Sequence, residues 1–145
     1  MQPAQTTEGP LIFVVEDNSD DEALTVRALR KFDPTCQVVV ARDGQEAVEL
    51  IKGIEERVPD LILLDLKLPK LNGIEVLHVV RSEPMTRNIP TVMLTSSDEP
   101  SDLANSYEGG ASGFVRKPVG YDEYVDAVKT LGRFWLTLNL RPPKK

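Results

Sequence analysis

Cysteine is almost absent from this chain: one residue, Cys36, among 145 cannot form an intramolecular disulfide bond. A disulfide-framed secreted fold is therefore excluded, and a reducing compartment is expected. No apolar run approaches the roughly 20 residues that a transmembrane helix requires. Residues 1–10 have neither the basic start nor the apolar core of a secretory signal. We therefore expect a cytoplasmic protein that begins with a disordered tail over residues 1–10 and does not bind membranes.

Positive charge is also scarce. The chain has 17 Lys and Arg against 23 Asp and Glu, a net charge of −6. Because phosphate contacts require concentrated positive charge, direct DNA binding is not expected. Neither of the glycine-rich patterns that cradle phosphates, G-x-G-x-x-G and G-x-x-x-x-G-K-[ST], occurs in the sequence. This disfavours a flavin- or nucleotide-binding module.

Short apolar runs alternate with segments of helical periodicity. The runs, which predict strands, lie at 11–15, 36–41, 61–64, 91–94 and 113–115. The helical segments lie at 20–31, after Asp43, at 74–83, at 100–108, and along a final apolar stripe from Tyr121 through Trp135 to Leu138. Five strand–helix pairs with short connections predict a doubly wound α/β fold around a five-stranded parallel sheet. The flavodoxin-like strand order 2-1-3-4-5 is the simplest arrangement.

Polar residues that can bind a phosphoryl group follow several of these runs. Ligand sites in such sheets lie at the carboxyl ends of the strands, where the sequence has Glu16, Asp17, Asp65, Thr95 and Lys117. Since the first and third strands are expected to be neighbours, the three acids converge there. Three carboxylates so close together repel one another unless a cation is bound, and such oxygen ligands suit Mg²⁺. With the lysine and the threonine they form an electrostatic clamp for a phosphoryl group transferred to an aspartate.

Each of these residues also has a structural interpretation. Glu16 and Asp17 are common turn formers, Thr95 is a β-former, and Lys117 is typical of a solvated loop. Asp65 is harder to explain structurally, because it ends an apolar run and an unpaired buried carboxylate is costly. Their position on one rim of the sheet favours a common site.

Four motifs in order resemble the receiver domain of two-component response regulators: FVVEDN, LILLDLKLP, VMLTS and GFVRKP. The resemblance covers residues 11–131 and implies the CheY-like version of the fold. The following segment, GRFWLTLNL, is similar to the small regulators that partner bacterial and cyanobacterial phytochromes.

The resemblance implies a phosphorylation site. It makes Asp65 the phosphoacceptor for a partner sensor histidine kinase, with a bacteriophytochrome as the expected type. It implies that Asp17, Asp65 and the main-chain carbonyl of Lys67 bind Mg²⁺ directly, while Glu16 assists through water.

The resemblance also implies a conformational switch. Thr95 and Lys117 contact the phosphoryl oxygens, and Phe114 turns inward when Thr95 moves toward the phosphate. The Lys117–Pro118 peptide bond is expected to be cis.

Output is expected to pass through protein–protein interaction rather than turnover of a separate substrate. Residues 132–145 form a C-terminal extension, and the aromatic pair Phe134 and Trp135 is our candidate for a homodimer interface.

Two other functions are compatible with parts of this pattern. Phosphatases resembling haloacid dehalogenases also use a strand-end aspartate and Mg²⁺, but they need a second carboxylate where this chain has Lys67. The other is an interaction domain that has lost phosphorylation. Such a domain would not need the phosphorylation-site residues Asp17, Asp65, Thr95 and Lys117, all of which are present.

Overall fold

A computed structural model describes residues 9–142, in which five strands and five α-helices alternate. Apart from the end of the last helix, the predicted segments agree closely with the observed ones. The strands are β1 (Leu11–Val15), β2 (Gln37–Ala41), β3 (Leu61–Leu64), β4 (Thr91–Thr95) and β5 (Gly113–Arg116). The helices are α1 (Ser19–Phe32), α2 (Gly44–Lys52), α3 (Gly73–Ser82), α4 (Pro100–Glu108) and α5 (Tyr121–Arg133).

All strand pairs are parallel, and the order β2-β1-β3-β4-β5 confirms the predicted topology. Strand β3 lies between β1 and β4, and all four of its side chains are buried. This explains why its sequence is continuously apolar instead of alternating: helices cover both faces of the sheet.

Alternate residues of each strand pack into two separate cores. Ile12 and Val14 belong to the core that is completed by α1 and α5, whereas Phe13 and Val15 pack with α2 and α3. The period of two along β1 therefore assigns its side chains to opposite layers. Because helices cover both faces of the sheet, a polar site is expected at the ends of the strands.

The last helix ends earlier than its apolar stripe predicted. A π-helical turn, Phe134–Leu138, follows α5, and the Asn139 N–H donates to the Phe134 carbonyl at 2.7 Å. This wider turn breaks the 3.6-residue spacing on which the stripe was based. Trp135 still packs against the core, but Leu138 is 61% exposed.

The two ends of the described range meet the sheet at its amino-terminal edge. The Pro10 carbonyl accepts a hydrogen bond from the Gln37 N–H at 2.8 Å, and Arg141 Nη2 lies 3.0 Å from Asp60 Oδ1. Residues 1–8, most of the predicted disordered tail, lie outside the described residues, as do residues 143–145. Among residues 9–142, no helix is both long and apolar enough to cross a membrane.

Chemical labelling of the single cysteine can test the packing at this edge of the sheet. Cys36 lies just before β2 and is buried, and this burial raises the pKa of its thiol to about 11. At pH 8 we therefore expect a disulfide reagent to label the native protein at least about a hundredfold more slowly than the urea-unfolded protein, because the thiolate is the reacting form. Absorbance of the released thiolate measures both rates. Equal rates would contradict the described packing.

Candidate phosphoryl-binding site

The backbone of the site is an extension of the sheet. The N–H of Glu16 donates to a carbonyl of β2 at 2.9 Å, that of Asp65 to β1 at 3.1 Å, and that of Lys117 to β4 at 2.7 Å. The parallel hydrogen-bonding pattern therefore continues one step beyond each strand. Three charged side chains are thereby held at one rim, at the carboxyl ends of the strands.

Three acids meet at this rim. One carboxylate oxygen from each of Glu16, Asp17 and Asp65 lies within 4.8 Å of the other two. Glu16 and Asp65 are buried, at 3% and 6% exposure, whereas Asp17 is exposed. Close, partly desolvated carboxylates repel one another, so the cluster needs positive charge.

Lys117 supplies that charge. Its Nζ lies 2.7 Å from Glu16 Oε1, 2.8 Å from Asp21 Oδ2 and 2.9 Å from Asp65 Oδ2. An ammonium has three N–H donors, so these three carboxylates can use all of them. Burial lowers the pKa of Lys117, but the hydrogen bonds that its ammonium donates to the three acids outweigh burial and leave the pKa above its ordinary value.

Asp21 is the member of this group that the sequence did not predict. It lies in the acidic first turn of α1, where Asp20, Asp21 and Glu22 are together typical of residues that stabilise a helix dipole. Asp17 lies before the N-cap of α1, so helical spacing does not connect it with Asp21, and no local pattern separates Asp21 from the other two acids of this turn.

Burial raises the pKa of Glu16 to about 7. The hydrogen bond from Lys117 opposes this shift, and the charge of Asp65 adds to it. Both carboxylate oxygens of Glu16 are engaged, since Oε1 contacts Lys117 and Oε2 accepts from the Asn18 N–H at 3.2 Å.

The arrangement fits a hard divalent cation. The oxygens of Asp17 and Asp65 converge, and the Lys67 N–H donates to Asp65 Oδ1 at 3.3 Å, which brings the Lys67 backbone to the same place. Mg²⁺ prefers such oxygen ligands and takes few carboxylates.

A glycine fixes the position of the phosphoacceptor candidate. Helix α3 begins at Gly73, whose N–H donates to the Leu66 carbonyl at 2.8 Å. A Cβ at Gly73 would collide with the Asp65 carbonyl oxygen. The close approach of α3 to the loop after β3 therefore requires glycine at this position.

The two switch candidates lie on one face of the sheet. Phe114 pairs with Met93 in the register of β4 and β5, and Thr95 follows Met93 by two residues. Residues two apart on a strand share a face. Thr95 is fully buried, with its hydroxyl accepting from the Ser97 N–H at 3.3 Å, and Phe114 is half-buried against the core of α2 and α3.

One expectation about this rim is wrong. No cis peptide bond occurs among residues 9–142, so Lys117–Pro118 is trans. The Lys117 side chain reaches all three carboxylates with the trans bond, and the trans isomer is the commoner one for X–Pro.

The aromatic pair lies away from the acids, at the other end of the sheet. Phe134 and Trp135 stack edge to face with ring centroids 4.9 Å apart. The Trp135 ring lies 3.8 Å from where a Cβ of Gly113 would be, at the start of β5. Trp135 thus covers core, whereas Phe134 is 44% exposed.

Residues 12–129 match the family model of the response regulator receiver domain. Among curated proteins, the response regulator Rcp1 of Synechocystis sp. is 32% identical over 130 residues, which are 87% of this chain and 88% of Rcp1.

Solved structures of phytochrome-associated regulators share the fold. The phosphorylated cyanobacterial phytochrome response regulator RcpA has a TM-score of 0.86 and 36% identity, covering 92% of this chain and 99% of its own. The Mn²⁺-bound form of Rcp1 has a TM-score of 0.84 and 30% identity, with coverage of 93% and 100%. The bacteriophytochrome response regulator RtBRR is 46% identical at a TM-score of 0.69, with coverage of 92% and 84%.

Because the pKa of Glu16 is raised, the free energy of unfolding of the metal-free protein should depend on pH in a defined direction. Between about pH 4.5 and 7, the folded state binds the Glu16 proton more tightly than the unfolded state does, so this group makes unfolding easier as the pH rises. In urea titrations with EDTA, Glu16→Gln should remove this part of the decline in the free energy of unfolding. Glu49→Gln, on the exposed face of α2, should retain it. A Glu16→Gln profile that runs parallel to wild type would contradict the assignment.

Proposed function

This chain belongs to the response regulator receiver domain family, and we propose that it is a phosphoacceptor in two-component signalling. The observation that carries the proposal is the position of Asp65. Its carboxylate is buried at the end of the central strand, 2.9 Å from the Lys117 ammonium and beside two further acids. A nucleophilic carboxylate next to a fixed cation is what transfer of a phosphoryl group to an aspartate requires.

The reaction is a transfer from a kinase phosphohistidine to Asp65. A carboxylate oxygen of Asp65 forms the new P–O bond, the P–N bond breaks, and its electron pair stays on the imidazole nitrogen of the kinase. The product is a mixed anhydride of carboxylate and phosphate. Lys117 then donates to a phosphoryl oxygen, and Thr95 provides a hydroxyl donor once it leaves its contact with Ser97.

Asp17, Asp65 and the Lys67 carbonyl would hold Mg²⁺, and Glu16 would assist through water. Bound there, Mg²⁺ would offset the negative charge of the phosphoryl oxygens during transfer. The convergence of the three carboxylate oxygens supports this assignment.

The shared face of Thr95 and Phe114 supports a switch between them. When the Thr95 hydroxyl turns toward the phosphoryl group, the space beside Met93 changes, and Phe114 can turn inward to fill it. The half-buried ring of Phe114 is compatible with both positions.

The partner kinase is a phytochrome-type sensor in the cytoplasm. This part of the proposal is supported by the similarity to RcpA, Rcp1 and RtBRR. With a net charge of −6, the phosphorylated protein would signal through protein partners and not through DNA.

The C-terminal extension contributes a homodimer interface. Phe134, Leu138 and Leu140 are exposed along it, Leu140 at 91%. Several exposed large apolar side chains in one segment are typical of an association surface. Trp135 would support this surface from beneath by packing on the core.

Incubation with Mg²⁺ and acetyl phosphate tests the phosphoacceptor. Wild type should gain the mass of one phosphoryl group by intact-mass spectrometry, and Asp65→Asn should gain none because the nucleophilic carboxylate is gone. Asp98→Asn, an exposed aspartate after β4, is the matched control and should react like wild type. A wild type that gains no mass would refute the proposal and favour an interaction domain that works without phosphorylation.

Sedimentation velocity tests the dimer. Phe134→Ser should shift the monomer–dimer equilibrium toward monomer by about tenfold in dissociation constant, because it removes an exposed anchor without emptying the core. Val119→Ser, which changes a fully exposed apolar residue before α5, should sediment like wild type. Monomeric wild type at all concentrations would exclude this interface.

A further inference from the structure

The Lys117 ammonium is held by two carboxylates that do not react and by one that does. Under the proposed function, Asp65 changes its chemistry, whereas Glu16 and Asp21 do not. Their contacts come from different elements, Glu16 from the end of β1 and Asp21 from the first turn of α1. Two anchors on separate elements restrict a flexible four-carbon side chain more than one anchor can.

We infer that Asp21 is a positioning residue, which keeps the Lys117 ammonium at the phosphoryl site while Asp65 is converted to its anhydride. The inference rests on the proposed function and adds a residue to it. Phosphorylation removes the negative charge of the Asp65 carboxylate and weakens the hydrogen bond that it accepts from Lys117. The donor released in this way can turn to a phosphoryl oxygen, while Glu16 and Asp21 retain the other two.

Hydrogen bonds on both sides of Asp21 hold the helix that carries it. Its backbone N–H donates to the Asn18 side chain at 2.9 Å, which caps α1. One helical turn further on, the buried Thr25 hydroxyl lies 2.9 Å from the Tyr124 hydroxyl on α5. The helix that carries Asp21 is thus fixed on both sides of it, and a fixed anchor is what orientation of a reacting group requires.

The contact with Lys117 also distinguishes Asp21 from its neighbours in the same turn. Asp20 precedes it, has the same charge, and is exposed. Both residues stabilise the start of α1 through the helix dipole. Asp20→Ala therefore reproduces the loss of charge and the effect on the helix without removing an anchor from Lys117.

The test is a double-mutant cycle on the rate of phosphorylation by acetyl phosphate at saturating Mg²⁺. Asp21→Ala should slow the reaction about fivefold, whereas Asp20→Ala should stay within about twofold of wild type. In a Lys117→Ala background, Asp21→Ala should cause no further loss, because its effect passes through the lysine. Urea unfolding of each variant verifies that it is folded.

A second measurement follows the contact itself in unphosphorylated protein. The NMR signal of the Lys117 ammonium should move in Asp21→Ala and stay in place in Asp20→Ala. An unmoved signal in Asp21→Ala, a wild-type rate for Asp21→Ala, or an equal slowing in both lysine backgrounds would each overturn the inference. If wild type itself took up no phosphoryl group, the proposed function would fall together with the inference. If wild type is phosphorylated normally and any of those three results is found, only the inference about Asp21 is overturned and the proposed function stands.

Discussion

One buried ammonium holds the functional rim together. Lys117 lies within 2.9 Å of three carboxylates, which come from the end of β1, the first turn of α1 and the end of β3. Without it, Glu16 and Asp65 would be desolvated negative charges with no cation beside them, a costly arrangement in a protein interior. The ammonium that stabilises the buried carboxylates in the unphosphorylated protein is also the cation that a transferred phosphoryl group needs. The stability of the site and its proposed function therefore depend on the same side chain, Lys117.

The parallel sheet makes this concentration of charge feasible. Helices cover both faces, so the strand interiors are apolar, and polar side chains are confined to the strand ends. Hydrogen bonds beyond the ends of the strands set the backbones of Glu16, Asp65 and Lys117 in register. The acids and the lysine are therefore positioned by the hydrogen-bonded backbone of the sheet. The exposed apolar side chains of the C-terminal extension lie at the opposite edge, which separates the proposed chemistry from the proposed dimer contact.

The sequence predicts the strand order and the topology well, because apolar runs and helical spacing are strong signals in a sheet covered on both faces. The carboxyl-end rule also predicts that Asp65 and Lys117 share a rim. Asp21 could not be predicted in the same way, since its contact with Lys117 depends on where α1 packs and not on the end of a strand. The π-helical turn that exposes Leu138 is likewise not recorded in the 3.6-residue spacing of the apolar stripe. The cis bond before Pro118 was implied by the family resemblance alone, and the chain has the commoner trans isomer.

The most direct test of the central claim is a crystal structure of the protein with Mg²⁺ and beryllofluoride, a stable mimic of the phosphoryl group. The account predicts beryllium bonded to a carboxylate oxygen of Asp65, with the Lys117 ammonium donating to a fluoride and still in contact with Glu16. It would be contradicted by an unmodified Asp65 that remains bridged to Lys117, or by beryllofluoride bound at another residue.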